Sequence, residues 1–159
     1  MDAVDYDSPI GKLRLEADRS GLRAIRFPIS DDASRNDLVE KPNANPHLAN
    51  AQRDLDRYFC SDSSFSLQTT LSPKGTPFQI SVWTELRKVP SGAVATYGQI
   101  ARRIGSPNAS RAVGLANNRN PIPIFLPCHR IVGAGGKLVG YAGEIWRKEW
   151  LLKHEGAII

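Results

Sequence analysis

The sequence predicts an α/β protein in two parts: a small N-terminal α/β domain built on an antiparallel sheet, and a mainly helical C-terminal domain containing a helix-turn-helix. Three observations carry that expectation. Short alternating apolar segments separated by turn residues fill the first 27 positions, as at 12–16, where Leu13 and Leu15 share a face. From Thr76 onward the apolar period becomes helical, with Thr at helix starts and Gly at helix ends. Between the two patterns Pro73, Lys74 and Gly75 make a break, which sets the expected domains at 1–73 and 74–159.

Residues 3–6 read as a first strand, followed by a turn at 8–11, a second strand at 12–16, a turn at 18–21 and a third strand at 22–27. Such spacing gives a three-stranded meander. Residues 28–46 are rich in Asp, Ser, Asn and Pro without periodicity, the composition of a surface loop. Residues 47–60 place Leu48, Ala51, Leu55, Tyr58 and Phe59 at helical spacing, so a helix should cover the meander, with Cys60 packing at its end. Residues 61–71 read as an edge strand or a linker. No cluster of chemically competent side chains stands out in this half, which is expected to be scaffold.

In the second half Thr76 caps and Pro77 opens a helix carrying Phe78, Ile80, Val82, Trp83 and Leu86, which stops before Pro90. Thr96 then caps a short helix at 97–104, ended by Gly105, and a turn at 106–108 leads into a second at 109–117. Two short helices around a Gly-containing turn match a helix-turn-helix. Ala109, Ser110, Ala112 and Gly114 are small enough for a close backbone approach to a groove, and Arg111 is the long cation among them. A helix reading major-groove sequence would carry Asn, Gln and several Arg at its start, so sequence-neutral DNA binding fits better. For Val113, Leu115 and Ala116 the expected role is packing.

The run at 120–132 joins an apolar, proline-broken approach, expected to cross the core in extended form, to Cys128, His129 and Arg130. A cysteine beside a histidine and an arginine suits thiolate chemistry. A lone cysteine is just as often a small core residue, and on these residues alone the two readings are evenly matched. The glycine-rich stretch at 133–143 can bend around a ligand but lacks the strand-to-helix context of a phosphate loop. A last helix at 145–154 offers Trp146, Trp150, Leu151 and Leu152 to a core, and Glu155 at its end reads as an ordinary solvated acid.

The chain has 159 residues and a formal charge of +5. Its first 70 residues are near balance, whereas from Ser72 onward four acids face twelve Lys and Arg, which favours a polyanionic partner for the second half. Neither a signal-peptide pattern nor an apolar run long enough to span a bilayer is present, so the expected location is cytoplasmic, with no membrane partner. Cys60 and Cys128 lie far apart without metal spacing, which predicts reduced thiols and no metal site.

Taken together, GTPFQISVW, SGAVATYGQIA, SRAVG, NPIPIF followed by PCHR, GAGGKLVGYAG and KEWLLKHEG, with SPIGKLRLEA near the start, resemble the O6-alkylguanine-DNA alkyltransferases along essentially the whole chain. That resemblance implies irreversible, stoichiometric transfer of an alkyl group from O6-alkylguanine, with O4-alkylthymine as a second candidate, to the protein's own cysteine without a cofactor. It implies Cys128 as acceptor, His129 as its base through a water, Glu155 orienting His129, and Asn120 tying the recognition helix to the nucleophile loop. Tyr97, Tyr141, Ile131 and Ala142 would bind the flipped base. Arg111 would fill the gap left in the duplex, with Ala109, Ser110, Ala112 and Gly114 along the minor groove and Thr96 and Arg119 also on DNA.

The implied partner is double-stranded DNA, met by a monomer that can assemble along it. Ala142 and Glu144 depart from the small residues frequent at those positions in the family, and Glu144 is expected to stiffen the loop. Three other classes compete: a non-enzymatic damage binder, against which Cys128 argues; a helix-turn-helix regulator, against which the small-residue helix argues; and a cysteine hydrolase, which lacks an oxyanion-hole pattern.

Overall fold

The computed structural model describes residues 1–27, 45–60, 65–141 and 143–157. They form two compact units, Met1–Lys74 and Gly75–Ile159.

The first unit is an antiparallel meander of β1 (Asp2–Ser8), β2 (Gly11–Ala17) and β3 (Leu22–Arg26), covered by α1 (Pro46–Cys60). Register follows the alternation: Val4 pairs with Leu15 and Leu15 with Ile25, so the apolar positions of all three strands share one face. The α1 helix buries Leu48, Ala51, Leu55 and Tyr58. On β2 the intervening residues make cross-strand ion pairs, Arg14 with Asp5 at 2.9 Å and Glu16 with Arg26 at 2.7 Å.

One feature of this unit differs from the sequence reading, and for residues 65–71 the linker alternative holds. Cys60 is exposed at the end of α1 rather than packed, because the buried stripe ends with Tyr58. Residues 65–71 run without regular structure until a single parallel bridge joins Leu71 to Leu22. The return is fixed by Asp54, fully buried on α1, whose carboxylate accepts hydrogen bonds from Thr69 N at 2.8 Å, Thr69 Oγ1 at 2.6 Å and Gln68 N at 3.0 Å. Nearly all of the expected surface loop at 28–46 lies outside the described residues; Asn45 and Pro46 are described, and Pro46 opens α1.

The second unit begins with α2 (Pro77–Leu86), opened by a capping box in which Thr76 Oγ1 accepts from Gln79 N and Gln79 Oε1 accepts from Thr76 N. Its Trp83 indole donates to Ala116 O at 2.8 Å. Gly75 lies under that ring: a Cβ there would stand 2.5 Å from the Trp83 ring, closer than any side chain tolerates. Next come β4 (Ala95–Thr96), α3 (Tyr97–Arg103) with a second capping box from Thr96 and Gln99, and α4 (Ser110–Asn118). Residues 104–109 turn the chain between α3 and α4. On α4 Val113, Ala116 and Asn117 face inward. Leu115, expected to pack, is 62 % exposed, since it falls four residues after Arg111 on the outward face.

The apolar run at 122–126 is buried as expected but is not extended. It coils through turns, with Leu126 N donating to Ile122 O at 2.9 Å and Ile124 at φ 75°. Proline at 121, 123 and 127 denies the segment ladder hydrogen bonds, so a compact turn satisfies the backbone instead. The chain then makes a 3-10 turn at Cys128–Arg130, the short strand β5 (Ile131–Val132) parallel to β4, and, past the glycine-rich loop, α5 (Ile145–His154).

Candidate functional site

The site grows from the 3-10 turn. Because Cys128 and His129 lie on a turn rather than a strand, their side chains do not diverge to opposite faces, and both are buried. Three supports hold the turn. Asn120 Nδ2 donates to Leu126 O at 2.6 Å while its Oδ1 accepts from Ile122 N at 2.9 Å, closing the coil that precedes Cys128. Asn117, buried on α4, donates to Cys128 O at 3.3 Å. After the turn, β5 pairs Ile131 with Ala95 and Val132 with Thr96.

His129 Nε2 lies 2.7 Å from Glu155 Oε2, and both side chains are out of solvent. Arg130 closes the arrangement: Nε donates to Glu155 Oε1 at 2.8 Å, Nη2 to Glu155 Oε2 at 3.0 Å and Nη1 to Val89 O at 2.7 Å. Burial pushes the Glu155 carboxyl up, but the hydrogen bonds and charges of His129 and Arg130 outweigh it and hold the group at about 2. Burial lowers the pKa of His129, and the Glu155 carboxylate offsets only part of that effect, so the ring is neutral near pH 7. Beside a carboxylate, neutral imidazole places its proton on Nε2, which leaves Nδ1 as the basic lone pair. That atom is buried and makes no hydrogen bond within the protein.

Burial also drives the Cys128 thiol up to about 11, while the Asn120 side chain and the Lys148 charge pull it down. The resting sulfur is therefore a thiol, with a neutral base and an anchored carboxylate behind it. Tyr97 opens α3 and its hydroxyl donates to Val139 O at 3.1 Å, so the glycine-rich loop lies against it. Gly140, at φ 58°, passes so close that a Cβ would come within 3.5 Å of Tyr97 Oη and 3.4 Å of the Asn118 amide. Tyr141 is half-buried; burial, then the proximity of Cys128, raises its pKa well above the usual value. Ile131 is fully buried. Ala142 lies outside the described residues. Glu144 holds φ 75° and ψ 150°, a region suited to glycine, and its carboxylate accepts from the Trp146 indole at 2.8 Å.

The residues expected on DNA lie along α4 and at the start of α3. Ser110, Arg111 and Ala112 are exposed at the start of α4, Ala109 and Gly114 are half-buried, and Arg119 is exposed at the helix end. Gly114 faces Tyr97, 3.9 Å from its ring to a would-be Cβ. The Thr96 hydroxyl is engaged in capping α3, where it accepts from Gln99 N at 3.1 Å.

Three residues of the site were not selected from the sequence: Asn117, Arg130 as the clamp on Glu155, and Lys148. A signal existed for two. Lys148, Leu151, Leu152 and Glu155 fall at i, i+3, i+4 and i+7, the buried stripe of α5, so Lys148 and Glu155 belong with the leucines rather than with solvent. Val113, Ala116, Asn117 and Asn120 repeat the spacing from α4.

Fold and site together define a protein built around one buried, base-supported cysteine behind a pair of short helices. Residues 77–157 match the 6-O-methylguanine DNA methyltransferase DNA-binding domain, and residues 5–71 match the ribonuclease-like domain of the same proteins. A methylated-DNA–protein-cysteine methyltransferase of Methanosarcina acetivorans is 46 % identical over 156 residues, covering 96 % of each chain. Its namesake in Mycolicibacterium paratuberculosis is 43 % identical over 94 % of this chain and 88 % of its own. The crystal structure of the Mycobacterium tuberculosis O6-methylguanine methyltransferase superposes with a TM-score of 0.84 at 40 % identity, covering 98 % of this chain and 92 % of that one. A structure of the M. tuberculosis protein OGT in complex with DNA aligns equally well, with a TM-score of 0.84. The chain belongs to the 6-O-methylguanine DNA methyltransferase family.

Proposed function

We propose that the protein repairs DNA by taking the alkyl group of O6-alkylguanine onto Cys128, irreversibly and once per molecule. The observation that carries this reading is the buried Cys128 thiol next to a neutral His129 whose Nε2 is held by Glu155 and whose Nδ1 makes no protein hydrogen bond. A permanently ionised thiolate would be oxidised or alkylated at random, whereas a thiol at about 11 waits for its substrate. Relatives named as methylated-DNA–protein-cysteine methyltransferases and a neighbour crystallised with DNA support DNA as the partner.

In this account the helix pair docks on duplex DNA through Ala109, Ser110, Ala112 and Gly114, with Thr96 and Arg119 beside the backbone. The target nucleotide leaves the stack, at a cost of a few kcal/mol, and Arg111 occupies its place. Tyr97, Tyr141, Ile131 and Ala142 receive the base. The Cys128 proton passes through a water to His129 Nδ1, and the imidazolium is stabilised by Glu155. Sulfur then attacks the alkyl carbon, a carbon–sulfur bond forms, the carbon–O6 bond breaks, and its electron pair stays on guanine. Tyr97 donates a proton to a ring nitrogen and restores neutral guanine; the His129 imidazolium then gives up its proton to solvent and Tyr97 regains one, so the net change is one proton from the thiol to the base. The resulting thioether has no proton to lose and no leaving group that water can displace, which ends the cycle.

The test is conversion of O6-methylguanine to guanine in a synthetic duplex, read by digestion to nucleosides. Wild-type protein restores guanine and Cys128→Ser does not. Restoration by Cys128→Ser would refute the acceptor role, and no restoration by wild type would refute the function.

A further inference from the structure

Among the described residues Lys148 is the one lysine or arginine with no solvent exposure. Its Nζ donates to Ile131 O and, at 2.9 Å, to Val139 O. These carbonyls belong to different pieces of the site: Ile131 opens the strand that leaves the nucleophile turn, and Val139 lies in the loop that runs to Tyr141. Tyr97 donates to the same Val139 oxygen at 3.1 Å, and a carbonyl with two lone pairs accepts both bonds at once.

Tyr97 cannot serve Val139 and a bound base with one proton, so its hydroxyl must leave this carbonyl when the base arrives. Without a second donor the Val139 carbonyl would then lose its hydrogen bond, and the loop would be held by Leu138 against Val132 and by its own backbone bonds. Burying an ammonium is costly, and a residue that merely filled the space would be apolar. The positive charge also has a user nearby, since Cys128 and Lys148 each favour the charged form of the other.

We propose that Lys148 is a positioning residue for the transfer step: it clamps β5 to the 133–141 loop when Tyr97 exchanges Val139 O for the base, and at neutral pH its ammonium stands beside the sulfur as a favourable charge. The assignment rests on the methyl-transfer reading given above. Burial holds the ammonium at about 8, so it is charged at neutral pH. The other groups that bear on this charge environment are His129 and Arg130 from the nucleophile turn, Tyr97 from α3, Tyr141 from the loop, and Arg147 and Glu155 from α5 and its end.

Two variants of the full chain separate charge from hydrogen bonding. Lys148→Gln keeps a donor without the charge, and Lys148→Arg keeps the charge. Two readouts apply to each, with thermal melting as the check on folding: methyl transfer from an O6-methylguanine duplex, and the pH profile of Cys128 alkylation by iodoacetamide, followed on the Cys128 peptide so that exposed Cys60 does not interfere. Lys148 is charged only below about pH 8, so removing its charge is expected to lower the alkylation rate about tenfold on the neutral limb of the profile and to leave the alkaline limb unchanged. Lys148→Gln should show that loss and an at least tenfold slower transfer, and Lys148→Arg should return the neutral limb to that of wild type. A Gln variant with the wild-type profile overturns the proposal, as does an Arg variant that behaves like Gln. Iodoacetamide needs no DNA, so the profile judges Lys148 even if wild-type protein fails to take the methyl group.

Discussion

Cys128 is a poor nucleophile until its proton is removed, and the surrounding side chains divide that task. Burial keeps the thiol protonated, Asn120 and Lys148 favour the thiolate, and in the proposed transfer neutral His129 takes the proton at Nδ1. Arg111 stands apart from this group, exposed in the first turn of α4. If it fills the space of a flipped nucleotide, Arg111→Ala should slow repair of methylated duplex at least tenfold while leaving reaction with free O6-methylguanine base nearly unchanged. Comparing the two rates on one preparation settles the role, since equal losses would point to damage in the fold. Cys128, the proposed acceptor, was singled out in the sequence, although PCHR by itself left catalysis and packing evenly matched. Arg130 was legible only as a nearby cation; that it grips both oxygens of Glu155 depends on bringing residue 155 back to the turn, a long-range contact that no local pattern encodes.

Among the elements, α3 and α4 do opposite things with their two faces. The inner faces, with Ile100, Ala101, Val113 and Ala116, seal the core, and the outer face of α4 presents small side chains around Arg111. If that outer face docks on duplex DNA as proposed, a carboxylate there would meet phosphate oxygens. Ala112→Glu is therefore expected to weaken duplex binding about tenfold at low salt with no change in melting temperature, as measured by fluorescence anisotropy and thermal unfolding. A drop in melting temperature would mean that the face is part of the core instead. Helix positions were readable to within about a residue because Thr76 and Thr96 both complete capping boxes, a purely local signal. The 122–126 run was misread as extended because its prolines exclude helix without choosing between strand and turn; Asn120 makes that choice by bonding at both ends of the coil. Leu115, for which packing was the alternative, is exposed, since residue type alone does not tell which face of a short helix turns outward.

For the whole molecule, the two units carry different kinds of polar burial, and the C-terminal one ties stability to pH. His129 has its pKa lowered in the folded state, so acidification below its unfolded value near 6.5 protonates the unfolded chain first and stability begins to fall. Glu155 is also depressed, from 4.5 to about 2; its contribution is complete above about 4.5 and is lost as pH drops toward 2, on the order of 3 kcal/mol. Urea unfolding between pH 7 and pH 3 should show this decline, and Glu155→Gln should be less stable at pH 7 but flatter with pH; a variant with the wild-type slope would show that other groups govern acid sensitivity. The bipartite organisation could be read from the change of period near Gly75, while the Asp54 bonds that fix residues 68–69 against α1 could not, because a buried aspartate at 54 looks like any polar helix position until its partners are placed.

The central claim is that one molecule accepts one alkyl group on one sulfur. Protein is titrated with excess duplex carrying O6-methylguanine, and both the guanine restored and the mass of each proteolytic peptide are measured. The account predicts a plateau at one equivalent of guanine per protein and a single added methylene on the peptide that contains Cys128. Continued turnover past that plateau, or the methyl group on any other peptide, would contradict it.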